Sequence, residues 1–108
     1  DFSNSEDVAY EKKINTTFEE IEAFAIVKSI LRKEIDCERI THRDTESYFG
    51  ILLDDNNRKW ICRMHLNGGN KFITISDDDK KPVRYDISEL DDIYNYQNEI
   101  ISAVKKYL

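Results

Sequence analysis

Two cysteines and two histidines, Cys37, His42, Cys62 and His65, are the residues of this chain with metal-ligand chemistry. Their spacing does not converge. Cys62 and His65 are three apart in a segment that reads as a strand, so they point to opposite faces. Cys37 and His42 could close a loop, but no second pair completes the four ligands that structural zinc requires. Both thiols are therefore expected to be reduced and packed. A magnesium nuclease would need a carboxylate on one strand and an Asp/Glu-x-Lys element on the next, the acids holding the metal and the lysine assisting water. The strand order suits that plan, but the residues at those places are Gly50 and Arg63-x-His65. Asp78-Asp79-Lys80-Lys81 and Glu11-Lys12-Lys13 match by letters alone, in a loop and in the N-terminal arm. A Gly-x-Ser-x-Gly elbow and an oriented Cys–His pair are both missing. Gly68-Gly69 lies between strands, where it makes a hairpin rather than a phosphate cradle at a helix start. No catalytic residue, metal ligand or cofactor is assigned to this domain.

What remains is polar chemistry on strands. Arg63 and His65, with Arg84 and Thr74 on neighbouring strands, are expected to form a cationic stripe on one sheet face, with Phe72 and Ile61 as apolar surface beside it. Such a face could dock phosphate or an acidic partner. It could equally be a solvated face of ordinary cross-strand pairs, such as Arg84 with an acid. Protonation of His65 at its ordinary value near pH 6.5 would add charge to the stripe. Trp60 shares a period with Cys62, Met64 and Leu66 and reads as a core anchor.

The elements that must position these residues follow from periodicity and caps. Residues 1–16 show no sustained period and read as a linker or loosely docked arm. Thr17-Phe18-Glu19-Glu20 fits a capping box. Phe18, Ile21, Phe24, Val27, Leu31 and Ile35 then recur at helical spacing, with acids in the first turn and Arg32 and Lys33 at the end. Thr41–Ser47 is an edge strand or extended loop. Tyr48–Leu53, Lys59–Leu66, Lys71–Ser76 and Val83–Ile87 read as strands, separated by Asp54–Asn57, Asn67–Asn70 and Asp77–Lys81. Ser88-Glu89-Leu90-Asp91 opens a final helix whose Leu90, Ile93, Tyr94, Gln97, Ile100, Ile101, Val104 and Leu108 share a face. Residues 17–108 are thus expected to form one α+β domain, an antiparallel sheet of three to five strands flanked by N- and C-terminal helices.

Composition agrees with a globular domain: 108 residues, 40% hydrophobic and 35% charged. No apolar run reaches the ~20 residues a membrane helix needs, and the start lacks a signal peptide's pattern. A cytoplasmic location without membrane contact is expected. The formal charge of −6 is the wrong overall sign for a nucleic-acid binder, which leaves only a local basic patch to serve that purpose. No feature assigns an oligomeric state. The chain begins DFSNSEDVAY, without methionine, which suggests an excised domain.

Taken together, FEEIEAFAIVKSILR, RDTESYFGILLDDNNRKWICRMHL and ELDDIYNY resemble the C-terminal domain of predicted bacterial restriction endonucleases, whose N-terminal domain is similar to the nuclease part of type I restriction R subunits. The resemblance covers about residues 17–96. It implies a cytoplasmic parent, with magnesium-dependent cleavage in an N-terminal nuclease domain of the same chain, and it transfers no catalytic residue here. The αβββα order also resembles a restriction-nuclease core that has lost its active-site letters. Three functions compete: an accessory module that contacts DNA or positions the nuclease domain, a protein–protein or dimerisation module, and a small enzyme with an unrecognised site.

Overall fold

A computed structural model describes residues 16–108; the arm expected over 1–16 lies outside this range apart from Thr16. Helix α1, Phe18–Leu31, starts where its cap predicts: the Glu20 N–H donates to Thr17 Oγ1, and the Thr17 N–H donates to Glu20 Oε1. Its buried line is Glu20, Ala23, Val27 and Leu31. The expected stripe is therefore rotated: Phe18 is 91% and Ile21 47% exposed, and the helix stops at Leu31, short of Ile35. The carboxylate of buried Glu20 is satisfied by the cap and by the Asn67 amide.

Five strands follow, β1 Ile40–Asp44, β2 Phe49–Leu53, β3 Asn56–His65, β4 Phe72–Ser76 and β5 Pro82–Asp86. They form one antiparallel sheet in the order β1-β2-β3-β4-β5. The β2–β3 turn is tighter than the composition suggested. Asp54 and Asp55 alone span it, both with positive φ (58° and 55°), as a two-residue hairpin turn whose hand suits the strand twist. Leu90–Tyr96 winds as a 3₁₀ segment rather than as the start of the last helix, and α2 spans Gln97–Lys105. Tyr94, expected on the packed face, is 43% exposed and bonds Ser29 Oγ.

Both helices pack on one side of the sheet. Ala23, Val27 and Leu31 of α1 and Ile100, Ala103 and Val104 of α2 join Ile93 and the inward residues Phe49, Ile51, Leu53, Met64, Ile73 and Ile75 in one core. Tyr107 ties the C-terminus to the sheet by donating to the Trp60 carbonyl at 2.7 Å.

One irregularity decides which residues face outward. Ile51 pairs with Cys62, but the next β2 residue, Leu52, pairs with Trp60, so Ile61 is the extra residue of a β-bulge. The bulge reverses the alternation on its N-terminal side. Ile61, expected on the polar face, is fully buried in the core, and Trp60 is outside that core, on the face that carries Arg63. Both expectations rested on an unbroken period of two.

Candidate functional site

The side of the sheet away from the helices carries a continuous row of rings and guanidinium groups. Pairing sets the outward positions. Arg63 lies opposite Thr74, which lies opposite Arg84, and His65 lies opposite Phe72, which lies opposite Asp86. The five residues singled out in the sequence, Arg63, His65, Phe72, Thr74 and Arg84, thus occupy adjacent positions on three neighbouring strands.

Their packing is specific. The His65 and Phe72 rings stack with centroids 4.2 Å apart and planes 12° from parallel. The Arg84 guanidinium lies 3.8 Å from the Phe72 centroid. Because β4 runs between β3 and β5, His65 and Arg84 flank Phe72 from its two sides. Tyr48 lies 5.9 Å from His65, and the Arg63 guanidinium lies 4.9 Å from the Tyr48 centroid and 4.1 Å from that of Trp60. The row therefore reads Trp60, Arg63, Tyr48, His65, Phe72, Arg84, from β3, the residue just before β2, β4 and β5. Each contact of this kind contributes about 0.5–1 kcal/mol at an exposed site.

This arrangement limits the chemistry available. The faces of Phe72 are occupied by its neighbours, so the row is not a flat platform for stacking bases. What remains for a ligand is the N–H groups of the arginines. A guanidinium packed over a ring still has N–H donors for oxyanions. Arg63 makes no ion pair or side-chain hydrogen bond among the described residues, whereas Arg84 Nε donates to Asp86 at 2.8 Å in an exposed pair. The Arg84–acid pairing foreseen for a merely solvated face is thus present, and Arg63 departs from it. Thr74 Oγ1, between the two arginines, is buried and has no hydrogen-bond partner among the described residues.

Electrostatics adjust the role of His65. Burial holds its pKa below the ordinary 6.5, and the charges of Arg63 and Arg84 push the same way, against a backbone hydrogen bond to Ser47 that raises it. The ring therefore takes up its proton less readily than an ordinary imidazole.

No protein-family model, curated protein or solved structure matches the chain.

Three contributors escaped the sequence reading: Trp60, hidden by the bulge, Tyr48, and Arg43. Arg43 Nη1 donates to Asn57 Oδ1 at 2.9 Å and Nη2 to Asp55 Oδ1 at 3.2 Å, which lays it across the β1 end of the same face. Gly50, where a nuclease would carry its first acid, pairs with Arg63. Neither residue can bind a metal as a carboxylate would, and no cluster of three His, Cys, Asp or Glu side chains suited to a metal ion occurs among the described residues. Cys62 is fully buried, and burial pushes its thiol far above the usual range, so it is not a nucleophile. Among the described residues, no helix is long and apolar enough to cross a membrane.

Proposed function

We propose that this domain is a non-catalytic accessory module of a DNA restriction endonuclease. In this reading it docks on DNA through the helix-free face of the sheet, and an N-terminal nuclease domain of the same chain binds magnesium and performs cleavage. The observation that carries the reading is the Trp60–Arg63–Tyr48–His65–Phe72–Arg84 row, which holds two guanidinium groups against rings, that of Arg63 without an ion pair or side-chain hydrogen bond among the described residues. Phosphates are the ligands such groups suit, and contacts of this kind position a protein on a duplex without reading its sequence. The resemblance of residues 17–96 to the C-terminal domain of predicted bacterial restriction endonucleases is the support for such a parent.

The net charge of −6 opposes approach to DNA and restricts how the domain docks. A basic face on an otherwise acidic body is repelled from DNA in every orientation but one. Binding is then weak, salt-sensitive and oriented, as an accessory contact should be. Net acidity also favours a second reading, in which the same groups bind carboxylates on the nuclease domain. A fluorescence titration with duplex DNA at low salt, comparing the wild type with Arg63→Glu and Arg84→Glu, separates the two. Loss of binding in the variants supports DNA docking; no wild-type binding at low salt leaves the protein surface as the occupant.

A further inference from the structure

At one end of the row the open face deepens into a pocket of about 210 Å3. Gly50, Leu52 and Trp60 make its apolar part, and Arg43, Asn57 and Arg63 stand around it. We propose that this pocket seats a phosphate ester, with the phosphate between Arg63 and Arg43 and the attached organic body on Leu52, Gly50 and Trp60. The inference deepens the DNA-docking reading by naming where one phosphate of a strand is held, and it rests on that reading.

Three observations carry it. First, Arg63 is oriented before any ligand arrives: Trp60 and Tyr48 hold its guanidinium within 4.1 and 4.9 Å of their centroids, and its N–H donors have no partner among the described residues. A pre-positioned planar donor loses less freedom on binding an oxyanion than a free side chain does. Second, Arg43 is steadied by Asn57 and Asp55, and Asp55 is 66% exposed, so this pair is weak and screened. A second positive charge thus stands at the same pocket and adds to the attraction for a phosphate anion. Third, Gly50 lines the pocket without putting a side chain into it, and the Tyr48 ring packs 3.3 Å from the position its Cβ would take.

Trp60, the single tryptophan, lines the pocket and reports on it. The test titrates the whole 108-residue chain with thymidine 5′-monophosphate, inorganic phosphate and thymidine, following Trp60 emission at the red edge of its excitation band. The monophosphate should give a saturable change, inorganic phosphate a weaker one and thymidine none. Arg63→Gln should raise the Kd about tenfold, the effect of one charge-assisted donor pair, while Arg84→Gln should leave it within about twofold. If Arg63→Gln loses its cooperative melt, Arg43→Gln carries the same comparison. An unphosphorylated thymidine oligomer that displaces the monophosphate assigns the seat to an internal phosphodiester; failure to displace assigns it to a free nucleotide, and either result retains the pocket. Thymidine binding as well as its phosphate, or Arg84→Gln weakening binding as much as Arg63→Gln, would overturn the pocket. A silent monophosphate overturns it too. In that case wild-type binding to DNA shows that docking along the row survives alone, and absence of DNA binding removes both readings.

Discussion

Gly50 and Arg63 are cross-strand partners on the uncovered face of the sheet, and the bare glycine gives Tyr48 the space beside it. The Tyr48 ring lies 3.3 Å from the position a Cβ on residue 50 would take, and 4.9 Å from the guanidinium it supports. The glycine thus orients the arginine through an aromatic intermediary, much as rings on neighbouring strands cover glycines in other sheets.

Gly50→Val should displace Tyr48 and loosen Arg63. The Tyr48 ring at 3.3 Å must give way and the branched side chain must find room beside it, so a cost of about 1–3 kcal/mol in urea unfolding is expected. An unchanged midpoint, with Tyr48 signals unmoved by NMR, would show that the ring does not depend on the glycine.

Trp60 is buried to 7% exposure but lies outside the core shared by Ile61, Cys62 and Met64. On an open face, solvent and Arg63 can refill the space it leaves. Trp60→Ala is expected to cost roughly 2–3 kcal/mol, less than the ~3–5 kcal/mol of a core truncation such as Phe49→Ala. Chemical denaturation of the two variants checks the order; a larger loss for Trp60 would return it to the core.

How far this arrangement was legible in the sequence depends on the range of the forces involved. The α1 cap was readable because Thr17 and Glu20 act on each other three residues apart. The alternation that brings Arg63, His65, Phe72, Thr74 and Arg84 onto adjacent positions is also local, strand by strand. The bulge was not, because Trp60-Ile61-Cys62 is an uninterrupted apolar run in which either phase of a two-residue period fits. The α1 face was displaced for a similar reason. Small Ala23 and capped Glu20 are buried where bulkier Phe18 and Ile21 were expected, since the closest helix–sheet approach, not hydrophobicity alone, selects the contact line. The first turns of the last helix tighten into a 3₁₀ segment where the Asp92 carboxylate accepts from the Ser88 and Glu89 N–H groups.

Because the folded-state pKa of His65 lies below 6.5, the unfolded chain takes up the proton more readily. The contribution of His65 to stability is therefore complete above pH 6.5 and declines as pH falls below that value toward its folded pKa. An NMR titration should place the His65 midpoint under 6.5, and Arg63→Gln should raise it by removing a nearby charge. A midpoint above 6.5 would contradict the burial and the neighbouring charges together.

Thiol labelling should be graded. Cys37 is half-buried, with its Sγ 3.6 Å from the Lys28 carbonyl, while Cys62 is sealed in the core. Native protein should react at Cys37 alone and show its second thiol only on unfolding. Rapid native labelling of Cys62 would mean that β3 opens without global unfolding.

The 108-residue chain should not nick supercoiled plasmid in magnesium or manganese, since Gly50, Arg63 and His65 stand where a nuclease of this strand order would carry its acids and lysine. Metal-dependent nicking abolished by alanine at one Asp or Glu would contradict the non-catalytic reading.

The docking face is tested most directly by mapping amide and side-chain NMR shifts on titration with a short duplex at low salt. Shifts should be confined to the open face, led by Arg63, His65, Thr74 and Arg84, should be the same for unrelated duplex sequences, and should vanish as salt is raised. Shifts centred instead on the outer surfaces of α1 and α2, or no shifts at low salt, would contradict DNA docking through this sheet.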